Sequence, residues 1–376
     1  MSEPEALLNP RMIWQEPAKG GYPDRSFLAL PGIERMGAAR RGLVPYSPMG
    51  YLTELEMTEG SRGHSTFSMP ASPWFANSSG LISGGVLALI GDAALGSVVH
   101  SDVGAGQGMT TAELSMSFLR PVVPKPGAVV SGSGQLIHRG RSLGISEAFL
   151  FDDEDQLISH GTTRCTVFPP VDPLPDPPSG RAVIDMPEPG SDPEDPLRRE
   201  VEGEVIPQGV FERRSGLEIL RALIAGELPR PPVYHLTGLR LVEADEGETV
   251  VVLPCSKWLS TSAGTVQGGF TAMLAESAMT SAAFSTAPAD AAVATLDFKV
   301  NYLRPVFPDG EEMTARARIL HRGRTLVIAA AELSNAEGKQ VALATGSSMY
   351  LPGRPANLVG VELGSGSSDP EDDPGA

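Results

Sequence analysis

The sequence predicts an α+β protein made of two copies of one domain, each an antiparallel sheet wrapped around a single apolar helix. Three observations lead there. A register repeats at an offset of 184 residues, so that Phe27, Gly32, Gly42 and Pro45 recur as Phe211, Gly216, Gly226 and Pro229. One long apolar stretch occurs in each copy, GLISGGVLALIGDAALGSVV at 80–99 and GTVQGGFTAMLAESAMTSAA at 264–283. After each stretch the residues alternate between apolar and polar, the mark of half-buried strands.

The same offset carries Pro70 to Pro254, Asp92 to Glu276, and Leu119-Arg120-Pro121 to Leu303-Arg304-Pro305, while His138-Arg139-Gly140-Arg141 meets His321-Arg322-Gly323-Arg324 after a one-residue slip. Such a period is far too long for a solenoid, so each copy is a domain. The expected division is an irregular arm at 1–25, a first domain at 26–168 and a Pro-rich acidic linker at 169–209. A second domain at 210–354 and a disordered acidic tail at 355–376 complete it. Within a copy a short leading helix comes first, clearest at Ser215 to Ala225, where Ser215 suits the start and Gly226 the end. A strand pair, the apolar helix and four strands follow. The strands are expected near 110–119, 127–138, 142–151 and 156–168 in the first copy, with a basic turn and an acidic turn between the last three. One helix followed by a run of antiparallel strands forms a layer in which the sheet covers the helix.

Composition bounds the function. With 376 residues the chain can fill two cores, and 29 basic against 46 acidic residues give a net charge of -17, which disfavours nucleic acid and anionic membrane as partners. No stretch reaches the roughly 20 apolar residues of a membrane span. The N-terminal MSEPEALLNPRMIWQEP does not read as a secretory signal, so a cytoplasmic location is expected. Cys165 and Cys255 suit a reducing compartment and read as buried strand residues. His64, His100, His160 and His235 show no metal spacing, and no metal site is expected.

The acids carry the functional signal. An apolar helix seldom keeps a carboxylate, because burying its charge without a partner is costly. Here both do, Asp92 and Glu276, each seven residues after a Gly-Gly pair. Seven residues at about 1.5 Å each put the acid about 10 Å down the helix from its own glycines. A group held at one helix's N-terminal amides therefore cannot touch that helix's own acid. If the two helices lie antiparallel, each acid sits beside the other's N-terminus, and duplication builds the site.

The block Asn77-x-x-Gly80-x-x-Ser83-Gly84-Gly85 followed by Asp92 resembles the hotdog-fold acyl-CoA thioesterases of the phenylacetate-pathway (PaaI) type. Their pattern is Asn-x-x-Gly-x-x-His-Gly-Gly with an Asp or Glu seven residues after the second Gly. The resemblance covers about 45–168 and 230–351, the second copy more closely, and implies a tandem double hotdog paired within one chain. It further implies an acyl-CoA substrate, free coenzyme A as product, no other cofactor, and further assembly of chains as homo-oligomers.

Carried over by residue, one site combines Asp92 with Gly268, Gln267 and Thr261, and the other combines Glu276 with Gly84, Ser83 and Asn77. Thr280, one turn after Glu276, is placed to hold a water, whereas the first copy has Gly96 there. The resemblance gives the amides of Gly84 and Gly268 the developing oxyanion and makes the acids nucleophiles or general bases. Gly85 and Gly269 complete the helix starts that receive the substrate. Arg139, Arg141, Arg322 and Arg324 suit the phosphates of the coenzyme A nucleotide, against a plain solvated turn. The family's His is replaced by Ser83 and Gln267. Two other readings stand beside this one, a non-catalytic acyl-CoA binder, which that departure favours, and a hotdog hydratase or dehydratase. The latter needs a His partner that neither helix offers.

Overall fold

The computed structural model describes residues 12–179 and 183–359. The first copy runs α1 (Gly32–Arg40), α2 (Pro48–Thr53), β1 (Glu56–Ser61), β2 (His64–Pro70), α3 (Gly84–His100), β3 (Met109–Phe118), β4 (Val129–Arg139), β5 (Leu143–Phe151) and β6 (Leu157–Val167). The second runs α4 (Gln208–Phe211), α5 (Gly216–Ala225), α6 (Pro232–Thr237), β7 (Arg240–Asp245), β8 (Glu248–Pro254) and α7 (Gly268–Phe284). It ends with β9 (Ala291–Tyr302), β10 (Glu312–Arg322), β11 (Leu326–Ser334) and β12 (Gln340–Pro352).

The twelve strands of the described residues form one antiparallel sheet in the order β1-β2-β4-β5-β6-β3-β9-β12-β11-β10-β8-β7. The copies meet where β3 pairs with β9, from Glu113 opposite Asn301 to Ser117 opposite Asp297. In the middle Ser115 faces Lys299, and these two are also equivalent under the 184-residue offset. The pseudo-twofold axis of the duplication therefore passes between them. Buried Glu113 of β3 pairs with Lys299 of β9 at 3.4 Å and with Arg164 of β6 at 3.1 Å, which ties the seam on the outer face.

The central helices α3 and α7 pack inside the sheet and against each other, which explains why both are apolar on nearly every side. They cross almost backbone to backbone. A Cβ on Gly85 would lie 2.5 Å from the Met273 Cα, and one on Gly269 would lie 2.7 Å from the Leu89 Cα. Only glycine permits that approach. The leading helix α5 starts in a capping box, the Ser215 hydroxyl accepting from the Glu218 amide while the Glu218 carboxylate accepts from the Ser215 amide, and it ends at Gly226 with φ of 74°. Cys165 lies in β6, but Cys255 follows the end of β8 in a buried turn. Burial pushes both thiols up to about 12.

The segments read as an irregular arm and a linker hold more order than their composition suggests. The Trp258 indole donates to the Glu16 carbonyl at 3.0 Å, and the Trp74 indole donates to the Arg199 carbonyl at 3.2 Å. Glu16 and Arg199 then pair with each other at 2.7 Å. Likewise the Met49 amide donates to the Ser260 carbonyl, and the Val233 amide to the Ala76 carbonyl. These contacts are related by the duplication, so each copy's leading segment crosses onto the loop ahead of the other's central helix. The linker is strapped to the body by buried Asp195, which takes Lys19 at 2.6 Å, and by buried Ile206. The acidic sequence from 360 onward lies outside the described residues.

Candidate active site

Two sites arise where α3 and α7 run antiparallel, since each acid then faces the other helix's start. Asp92, 7% exposed, accepts from the Gly269 amide at 3.3 Å and from the Thr111 hydroxyl of β3 at 2.9 Å. Glu276, 4% exposed, accepts from the Thr280 hydroxyl at 3.1 Å and the Thr295 hydroxyl of β9 at 2.9 Å, with the Gly85 amide directed at it. Burial raises both carboxyls above their ordinary range. The hydrogen bonds pull the other way, Thr111 and the Gly269 and Gly268 amides for Asp92, and Thr295, Thr280 and the Gly85 amide for Glu276.

Thr111 and Thr295 are not among the residues the sequence singles out, although they are equivalent under the 184-residue offset and lie 19 residues after their acids. Thr111 gives Asp92 the hydroxyl that Gly96 cannot supply. Tyr302 is a further residue that the motif does not mark. Its hydroxyl donates to the Gly268 carbonyl at 2.8 Å, and burial together with the nearby Asp92 holds the phenol well above its ordinary range.

The two residues at the family's His position behave differently. Ser83 caps its own helix, its hydroxyl accepting from the Val86 amide at 3.4 Å. Gln267 instead reaches across the interface, donating to the Leu89 carbonyl at 3.0 Å, and its buried Oε1 has no partner. Asn77 and Thr261 shape the loops leading into the helices. The Asn77 carbonyl oxygen accepts from the amides of Ser79 and Leu81, and the Thr261 hydroxyl accepts from the Ala263 amide and donates to the Thr265 carbonyl. Both side chains are thus engaged in local turns, with the acids supported by other residues.

The arginine turns stand apart from the acids. Arg322 donates to Glu246 at 3.1 Å and to the Thr286 carbonyl at 2.7 Å, beyond the end of α7 and roughly 15 Å along that helix from Glu276. Arg141 and Arg324 are exposed, whereas the half-buried Arg139 has an Nε without a partner. Among the described residues no three His, Cys, Asp or Glu side chains converge as a metal site, and no helix is long and apolar enough to cross a membrane.

Chemically, a carboxylate beside helix-terminal amides can activate a water against a carbonyl whose oxygen those amides receive. Comparison with known families agrees with the fold. A sequence model of the thioesterase superfamily matches residues 79–159 and again 263–342. A tesB protein of Mycobacterium avium subs paratuberculosis superposes with a TM-score of 0.50 at 14% identity, over 81% of this chain and 98% of that one. The PaaI protein of the E. coli phenylacetic acid degradation operon is 28% identical over 32% of this chain and 84% of that one, with a TM-score of 0.30. A phenylacetic acid degradation protein PaaI from Thermus thermophilus, in a mutant form, is 31% identical over 32% of this chain and 99% of that one, again at 0.30. A comparison with curated proteins gives no match. Two stretches of the chain, one in each copy, thus match the thioesterase superfamily, and the fold is the hotdog carried twice, as a tandem double hotdog.

Proposed function

We propose that this protein hydrolyses an acyl-CoA thioester of the PaaI type to a carboxylate and free coenzyme A, at the interface between its two hotdog domains and without a metal or redox cofactor. The observation that carries this reading is the reciprocal placement of Asp92 and Glu276 against the opposite Gly-Gly helix starts. In the general-base form, the carboxylate takes a proton from water as the water oxygen bonds to the thioester carbon. The carbonyl electrons move onto oxygen, where the amide of Gly84 or Gly268 receives them. Collapse breaks the carbon–sulfur bond, and the leaving thiolate recovers the proton from the acid. In the nucleophile form the carboxylate itself attacks and expels the coenzyme A thiolate, and water then cleaves the resulting anhydride to release the acyl carboxylate and restore the side chain. The arginine turns supply a place for the nucleotide phosphates, Arg141 and Arg324 being exposed to receive them.

The test is thiol release from a panel of short, long and aryl acyl-CoAs. The double variant Asp92→Asn/Glu276→Gln is expected to lose about 100-fold or more in kcat with its fold intact. A parent-like rate would remove the acids from the mechanism. A non-catalytic acyl-CoA binder is the second reading, favoured by the replacement of the family's His by Ser83 and Gln267. Calorimetric binding of acyl-CoA by a parent that releases no thiol would select it.

A further inference from the structure

The two sites are closed in different ways. At the Asp92 site, the acid itself occupies the space beside the amides. A Cβ on Gly268 would lie 2.9 Å from the Asp92 Oδ2, and the Gly269 amide already donates to that oxygen. A carbonyl entering there must displace a carboxylate held by two donors. Tyr302, at the end of β9, adds a tether through its hydrogen bond to the Gly268 carbonyl.

At the Glu276 site the equivalent space beside Gly84 is filled by an apolar ring. A Cβ on Gly84 would lie 2.6 Å from the Phe118 Cζ and 2.7 Å from its Cε2. Phe118 is the counterpart of Tyr302 under the 184-residue offset, and it lacks the hydroxyl that pins its twin. It is half-buried at the last position of β3, next to exposed Leu119. Its aromatic neighbour is Phe298, with centroids 5.6 Å apart at a tilt of 48°. Glu276, meanwhile, accepts from Thr280 and Thr295, and the three atoms nearest that Cβ position all belong to Phe118.

We propose that Phe118 is the gate of the Glu276 site: its ring swings away from Gly84 to admit the thioester carbonyl, while the Asp92 site stays shut behind its own carboxylate and the tethered Tyr302. The gating residue positions and selects the acyl group without taking part in the bond changes. The proposal rests on the hydrolase reading for its substrate, but the gate can be tested without turnover.

Labelling of carboxyls by a water-soluble carbodiimide and glycine ethyl ester, read by peptide mass spectrometry on the full chain, reports access to each acid. In Phe118→Ala, labelling of Glu276 is expected to rise about tenfold over the parent while Asp92 stays within about twofold, since one ring contact is lost. Phe118→Tyr keeps the volume and can bond the Gly84 carbonyl as Tyr302 bonds that of Gly268, so Glu276 labelling should fall about fivefold. On acyl-CoA the same variants should shift kcat/KM in the same directions, with Phe118→Ala acting through KM more than kcat. Unchanged Glu276 labelling in both folded variants, or an equal rise at Asp92 in Phe118→Ala, would overturn the gate. A parent that cleaves no acyl-CoA would instead defeat the hydrolase reading and leave the labelling result to decide the gate.

Discussion

A carboxyl inside an apolar helix is held in a balance between burial, which favours the neutral form, and donors, which favour the charged one. For Glu276 burial is the larger influence, with Thr295 the first donor opposing it and Thr280 the second. The acid works only when ionised, so activity should be lost as pH falls through its raised pKa. Thr295→Val removes a donor to the charged form and raises that pKa further. The acidic limb of the kcat profile should therefore move to higher pH, with the alkaline side unchanged, and a limb that stays in place would exclude Thr295 from this role. Stability follows the same sign. Because the folded carboxyl keeps its proton above the unfolded value of about 4.5, the buried acid costs stability as pH rises from there through the raised pKa. Glu276→Gln abolishes that titration, so its melting temperature relative to the parent should be higher at pH 7 than at pH 4.

At the scale of elements the contact between α3 and α7 decides whether a site exists. Gly85→Ala would push a methyl into the Met273 backbone, where no side-chain rotation offers relief. Overpacking of this kind costs about 1–3 kcal/mol, and here at the upper end because backbone must move. Urea unfolding should show that loss together with reduced turnover, since the shift separates the Gly85 amide from Glu276.

The sequence makes much of this level legible. The two apolar helices, their acids, the α5 cap and the strands all lie where periodicity and end signals put them. An antiparallel crossing lets each acid meet the other helix's start, and α3 and α7 have it. Other features leave weaker traces. Thr111 and Thr295 sit on half-buried strands where threonine is an ordinary choice, and only their shared offset from the acids could mark them. Asn77 and Thr261 stand at the Asn position of the family pattern, and their side chains bond within the turns of their own loops. The crossing of the leading segments rests on indole-to-carbonyl bonds, and a carbonyl has no signature in sequence.

For the molecule as a whole, the seam between β3 and β9, the contact between α3 and α7 and the crossed leading segments all join the same two halves. Under the proposed function neither half keeps a complete site. Residues 12–179 and 183–359 produced separately should therefore be inactive and aggregation-prone, because each exposes a long strand edge and an apolar helix face. Produced together they should co-purify as a one-to-one complex and regain thiol release. Activity in either half alone would contradict a shared site.

The pairing of Ser115 with Lys299 on the pseudo-twofold axis carries a consequence for ancestry and assembly. In a symmetric dimer of identical subunits any residue on the axis must confront its own duplicate, so a lysine there would meet a lysine, a repulsion that adjacent strands tolerate poorly. Within a single chain that restriction is lifted, and the position holds an uncharged residue on one side and a cation on the other. Two C-terminal halves brought together in the same register would set one Lys299 against another, a cost that the pairing of unlike halves avoids.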